Sequence, residues 1–331
     1  MGGRKYELVP WTVKTAGSRT RQKIMQGGRM LHAILSGILN ISQIDNIKQT
    51  KKGILLNNGV EMPILGFGVY QIPDAAECER CVLDAIEAGY RSIDTAQAYY
   101  NEEAVGRAAA ACGVPREELF IATKVWMTNG GYDKAKASID ESLRKLRMDY
   151  ADLILVHQPF NDYYGSYRAM EEAYRAGKAR AIGVSNFHLD RFVYLAEFCE
   201  VTPAVNQMET HVFNQQVKTQ EIMSGYGTRL ESWGPFAEGR NGFFSNEVLK
   251  AIGEKYGKTV AQTAIRFLIQ RNIAAIPKST HRERMEENIN VFDFELSQQD
   301  MEDIKGLDRG ESLFLSHTDP ETVRFLINYG K

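Results

Sequence analysis

Short apolar runs alternate with longer amphipathic stretches through most of the chain. The runs fall at 64–70, 91–95, 119–125, 153–157, 179–185, 204–208, 228–233 and 273–278. Between them the apolar spacing predicts helices, among them 75–88, 133–146, 167–176, 190–198 and 260–270, with Gly89, Gly113 and Gly177 where helix C-caps belong. Regular strand–helix alternation predicts a parallel sheet. Eight such units close a barrel, whereas a doubly wound sheet usually has about five or six strands. The expected fold is therefore a (β/α)8 TIM barrel. Ahead of it, Ile54 to Pro63 reads as a β-hairpin, with Asn58-Gly59 supplying a type I′ turn. Residues 296–331 follow the eighth unit and predict a C-terminal helix and tail over the barrel.

The first fifty residues stand apart. They hold Arg4, Lys5, Lys14, Arg19, Arg21, Lys23, Arg29 and Lys48 against only Glu7 and Asp45, around an apolar run from Met30 to Ile41. A basic, acid-poor leader of this kind suits either an organelle transit peptide or a disordered or non-native extension. The second reading is preferred, which leaves 51–331 as a single barrel domain. The apolar run is too short to span a bilayer, for which about 20 residues are needed. A net charge of −2 offers no electrostatic footprint for nucleic acid, so neither nucleic acid nor membrane is an expected partner. Four cysteines without a secretory leader point to a reducing, cytoplasmic compartment.

Candidate chemistry sits where the runs end. Asp94 closes the second, Lys124 the third and His157 the fourth, while Tyr99 follows Asp94 closely. Strand ends converge on one face of a parallel barrel, the face that does chemistry. A tyrosine hydroxyl has a pKa near 10, and a neighbouring ammonium lowers it. Lys124 is expected to do this, with Asp94 holding Lys124 charged and fixed. His157 is placed to donate a hydrogen bond to a substrate oxygen. Together these groups suit proton delivery to a carbonyl.

Other motifs are weaker. Gly66-Phe-Gly68 begins like a dinucleotide fingerprint, but Gln71 replaces the third glycine. Cys78 and Cys81 form a C-x-x-C inside a predicted helix and read as packing residues, since a zinc site needs a second pair. No metal is expected. His32, His188, His281 and His317 read as surface or loop residues.

The stretch Gly89-Tyr-Arg-Ser-Ile-Asp94-Thr-Ala-Gln-Ala-Tyr99-Tyr-Asn-Glu102 resembles the signature of the aldo-keto reductase family. Further matches are Lys124-Val-Trp126, Leu155-Val-His157, Ile182-Gly-Val-Ser185-Asn186, Asn206-Gln207-Met-Glu209, Ile276-Pro-Lys278-Ser279 and Arg284-Met-Glu-Glu287-Asn288. The resemblance covers residues 53–316. It implies a catalytic tetrad of Asp94, Tyr99, Lys124 and His157, with NADPH as hydride donor and no metal. Ser185, Asn186 and Gln207 would hold the nicotinamide amide, and Trp233 would stack on its ring. Lys278, Ser279 and Arg284 would grip the 2′-phosphate, and Glu287 and Asn288 would meet the adenine. Gly68, Val69, Gly234, Pro235 and Phe236 complete the implied cofactor site, with 234–242 as a covering loop. Tyr70, Trp126, His157 and His211 would line a pocket for small aldehydes, dicarbonyls or keto sugars.

Gly234 and Phe236 depart from the serine and leucine that many members carry, and Gln158 stands where tryptophan is frequent. The short segment after Trp126 is similar to the bacterial 2,5-diketogluconate reductase-like branch. The implied state is a monomer acting on a small carbonyl substrate. A rival class is a cofactor-binding regulatory subunit like the potassium-channel β-subunits, which the 276–288 cofactor segment fits less well.

Overall fold

The computed structural model describes residues 53–329. The basic leader, with His32, lies outside the described residues. Strands β1 (Gly53–Leu55) and β2 (Glu61–Pro63) pair antiparallel, so the expected hairpin is present. Its turn is not type I′. In the loop only Gly59 takes a positive φ, 84°, and the Gly59 N–H donates to the Leu56 carbonyl at 3.0 Å. This is the longer hairpin loop in which a type I turn precedes a left-handed glycine. Asn57 and Asn58 are occupied elsewhere, their side-chain amides donating to the carbonyls of Thr202, Pro203 and Arg180. Those bonds tie the hairpin to the N-terminal ends of the barrel strands.

Eight parallel strands follow, each hydrogen-bonded to the next in chain order. They are β3 (Phe67–Gly68), β4 (Ser92–Asp94), β5 (Phe120–Val125), β6 (Ala151–Val156), β7 (Ala179–Ser185), β8 (Val205–Glu209), β9 (Arg229–Trp233) and β10 (Ala274–Ala275). A parallel bridge between Leu65 and Ala275 closes the ring, with Gly66 N–H on the Ala275 carbonyl at 2.9 Å. The fold is the (β/α)8 barrel. Strands β5 and β6 are buried at every position, which is why they read as mainly apolar runs rather than as alternation. Close approach of β7 to β8 requires Gly183, where a Cβ would lie 2.3 Å from the Val205 carbonyl oxygen.

The helices that follow the barrel strands are α1 (Ala75–Ala88), α2 (Glu102–Ala111), α3 (Tyr132–Leu146), α4 (Tyr163–Arg175), α5 (Leu189–Phe198), α6 (Val217–Ser224), α7 (Glu247–Tyr256), α8 (Val260–Gln270) and α9 (Arg282–Ile289). Cys78 and Cys81 face the core from α1. Helix α4 starts earlier than the predicted Tyr167, because the Asp162 carboxylate caps it by accepting from Gly165 N–H. The expected loop 234–242 is also more structured. Ala237–Ser245 winds through tight turns in which Ala237, Glu238 and Asn241 take positive φ.

In place of one C-terminal helix there are two, α10 (Gln298–Lys305) and α11 (Pro320–Asn328). Each has its own start signal, a Ser297–Asp300 capping box for one and Asp319 followed by Pro320 for the other. No helix among the described residues is long and apolar enough to cross a membrane.

Candidate active site

Asp94, Lys124 and His157 stand at or just beyond the C-terminal ends of β4, β5 and β6. The Lys124 ammonium is fully buried and donates to Asp94 Oδ1 at 2.5 Å and to the Thr95 carbonyl at 3.0 Å. Its third contact is the Tyr99 hydroxyl, 3.3 Å away. The Tyr99 ring meets His157 edge-on, with centroids 5.5 Å apart. Trp126 packs against the other side of His157 at 4.9 Å. All four predicted side chains thus meet in one place, with Tyr70 against Tyr99 at 4.9 Å.

Local sequence explains how Tyr99 reaches the group. It sits on a single 3-10 turn, Gln97–Tyr99, closed by Tyr100 in the left-handed region. Gln97 pins that turn, its Oε1 accepting from Trp126 N–H and from Asn129, both at 2.8 Å. Asn101 fixes the far side by donating to the Val69 and Ile72 carbonyls and accepting from the Thr95 hydroxyl. The signature stretch therefore encodes a hydrogen-bonded cradle as well as the tyrosine it presents.

The electrostatics depart from expectation at Tyr99. Burial pushes its hydroxyl up to about 12, and the opposing pull of Lys124 does not offset this. The phenol therefore keeps its proton through the neutral range. Burial also works against the Lys124 ammonium, but Asp94 and Tyr99 more than compensate and hold it charged. Burial, with Lys124 nearby, keeps His157 well below the ordinary histidine range, so its ring is neutral. Within this group, the buried nitrogens His157 Nδ1 and Trp126 Nε1 have no hydrogen-bond partner among the described residues. Buried polar atoms are rarely left unpaired without a reason, and a catalytic role is one such reason.

The residues expected to hold a cofactor fall in two groups. Along β7 to β9, Ser185 stands beside Gln207 and Gln207 beside Glu231 in register. Asn186, in the left-handed region, accepts from Trp233 Nε1 at 2.9 Å. At Gly68 an added Cβ would lie 3.1 Å from the Ile276 carbonyl oxygen, so this wall of the cleft is bare backbone, continued by buried Val69. Gly234 takes φ 62° against Phe314, leading into Pro235 and a half-buried Phe236.

The second group lies at the start of α9. Lys278 and Arg284 are exposed, and neither forms an ion pair among the described residues. Ser279 Oγ accepts from His281 N–H at 3.1 Å, and the helix has no side-chain N-cap. Free N–H groups beside two unpaired cations suit a phosphate. Asn288 is buried, while Glu287 Oε1 already accepts from Thr259.

The sequence profile of the aldo/keto reductase family matches residues 65–309. The chain belongs to that family. It is an NAD(P)H-dependent oxidoreductase. Glyoxal reductase of Bacillus subtilis is 45% identical over 79% of this chain and 94% of its own length. A solved aldo-keto reductase from a Medee basin deep-sea metagenome library is 40% identical, with TM-score 0.78, over 81% of this chain and 98% of its own. An aldo-keto reductase of Bombyx mori, solved in complex with NADP, is 35% identical, with TM-score 0.74, over 78% of this chain and 93% of its own.

Several residues of this reductase escape sequence reasoning. His317, read as a surface residue, is buried, and its Nε2 pairs with Gln158 Oε1 at 2.8 Å. Only the folded tail brings positions 159 residues apart together. His211, expected in the pocket wall, has both ring nitrogens engaged, one with Glu209 Oε1 and one with Phe213 N–H. It offers packing rather than a polar contact. Glu209 in turn accepts from the Ser312 hydroxyl and Leu313 N–H, fastening the tail. From that tail Leu315, Val323 and Leu326 pack with Ala98, Trp126 and Phe160 beside Tyr99, and Tyr329 meets Trp126 at 6.0 Å. Glu231 is buried inside the barrel, invisible from a strand pattern in which a glutamate reads as solvent-facing.

Proposed function

We propose that this chain reduces aldehydes and ketones, small dicarbonyls foremost, to alcohols, with Tyr99 as general acid and NADPH as preferred cofactor. One observation carries the reading: a buried ammonium 3.3 Å from a tyrosine hydroxyl and clamped by a carboxylate at 2.5 Å. Lys124 stabilises the phenolate left when Tyr99 gives up its proton, and Asp94 keeps Lys124 charged and immobile. The neutral His157 donates a hydrogen bond to the substrate oxygen and so orients the carbonyl toward Tyr99. Rings of Tyr70 and Trp126 flank that contact.

Gly68, Val69, Ser185, Asn186, Gln207, Trp233 and 234–236 would hold the nicotinamide half of the cofactor. Lys278, Ser279 and Arg284 would take the 2′-phosphate, and Glu287 with Asn288 the adenine. When bound, the reduced nicotinamide supplies the hydride. The preference for dicarbonyls rests on the glyoxal reductase relative. The reading carries with it a cytoplasmic monomer.

A panel of glyoxal, methylglyoxal, a simple aldehyde and a keto sugar, each run with NADPH and with NADH, tests this. Loss of reduced-nicotinamide absorbance, fastest with a dicarbonyl and NADPH, is expected. No turnover of any carbonyl while NADPH still binds would favour a regulatory subunit instead.

A further inference from the structure

Gln207 has two carboxylates on one nitrogen. Its Nε2 donates to Asp94 Oδ2 at 2.9 Å and to Glu231 Oε2 at 2.8 Å. A primary amide carries two N–H donors and one carbonyl acceptor, so both donors are spent. Reversing the amide would set its carbonyl oxygen against two carboxylates, which fixes the assignment chemically. Asp94 alone would hold one N–H and leave the other free. Glu231 takes that second donor.

The arrangement is built in. Glu231 lies on β9 directly beside Gln207 on β8, and it is 3% exposed. Burying a carboxyl there is costly: burial and the nearby Asp94 push it up to about 7, against the help of Gln207 and Lys124. No proton-transfer step in the proposed reaction uses it.

Resting on the NADPH reading above, we propose that Glu231 is a positioning residue that commits both Gln207 N–H groups, so that Gln207 meets the nicotinamide carboxamide through its carbonyl oxygen alone. Gln207 then accepts from the carboxamide N–H₂ and makes no donor contact to the carboxamide oxygen. A carboxamide held from a fixed side turns one face of the nicotinamide ring toward Tyr99, and Glu231 acts on that choice without touching the ligand.

Binding of NADP⁺ and of its 3-acetylpyridine analogue tests this without turnover. The analogue keeps the carbonyl but has a methyl group where the carboxamide carries its N–H₂. Both dissociation constants are read from quenching of tryptophan fluorescence. Wild-type protein should bind the analogue about three- to tenfold more weakly, the worth of one neutral hydrogen bond. Glu231→Leu frees an N–H that serves the oxygen common to both ligands, so the ratio should fall toward one. Glu231→Gln still offers a carbonyl to Gln207 and should restore the wild-type ratio. A general packing defect would weaken both ligands together and leave the ratio unchanged.

Glu231→Thr, too short to reach Gln207, replaces the leucine variant should that one not fold. Equal wild-type affinity for the two ligands, or a wild-type ratio in Glu231→Leu or Glu231→Thr, would overturn the positioning role alone. Wild-type protein that binds neither ligand would overturn the nicotinamide reading, and this proposal with it.

Discussion

In the barrel interior Lys124 is fully buried and held by Asp94 at 2.5 Å, whereas Lys278 and Arg284 at the start of α9 stand exposed without a carboxylate partner among the described residues. The same kind of charge does different work in the two places. Inside, the ammonium is fixed before any ligand arrives, and its removal strands a carboxylate away from water. Outside, the cations cost little in the free protein, would act on cofactor affinity in the proposed reading, and remain open to screening by salt. Under the proposed function, the contrast separates groups expected to bear on both folding and turnover from groups expected to bear on ligand affinity alone.

The largest effect should come from breaking the interior pair. Lys124→Met is expected to cut kcat at least a hundredfold, roughly the range of one lost acid–base contribution. It should also destabilise the fold by about 3–5 kcal/mol, because Asp94 is left buried without a counter-charge. Steady-state kinetics and urea unfolding check both. Loss of turnover with unchanged stability would place Asp94 in a more solvated setting than the structure gives it.

A second test lies in the C-terminal tail, at His317. Burial, with His188 and Arg191 nearby, holds its folded pKa down to about 4, against about 6.5 unfolded. In that window the unfolded chain binds the extra proton. Stability is therefore lost as pH falls through about 6.5 and levels off below about 4, by up to about 3 kcal/mol. His317→Gln should remove that portion of the acid sensitivity. The comparison is made by denaturant unfolding at several pH values, and an unchanged difference between pH 7 and pH 4 would show that the tail leaves His317 open to water.

At the exterior pair, Arg284→Ala should weaken NADPH binding about ten- to a hundredfold and leave NADH almost untouched, since one charge-assisted phosphate contact is worth about 1.5–3 kcal/mol. Raised salt should erode NADPH affinity more than NADH affinity. Equal losses for the two cofactors would assign Arg284 to a group that both share. The smallest effect is expected from starting the chain at Lys51, which should leave kcat unchanged because every proposed site residue lies beyond it. A fall in kcat would tie the leader to the site.

The same contrast governs what was legible in the sequence. All eight strands could be read because strands with most positions buried show as short, mainly apolar runs between helical stretches, and Asp94, Lys124 and His157 stood out as polar residues ending such runs. The hairpin turn was misread because Asn58-Gly59 is equally at home in a longer loop, and bonds to Arg180, Thr202 and Pro203 decide between them. Lys124 by itself would lower the Tyr99 pKa, but burial, which no spacing reveals, acts more strongly. Glu231 and His317 were missed for a related reason: their partners, Gln207 and Gln158, come from distant parts of the chain.

Tyr99→Phe tests the central claim most directly, since it removes one oxygen and keeps the ring between Tyr70 and His157. With NADPH and methylglyoxal, kcat should fall at least about a hundredfold while NADPH affinity stays at the wild-type value. Turnover near the wild-type rate in that variant would contradict the assignment of Tyr99 as the proton donor.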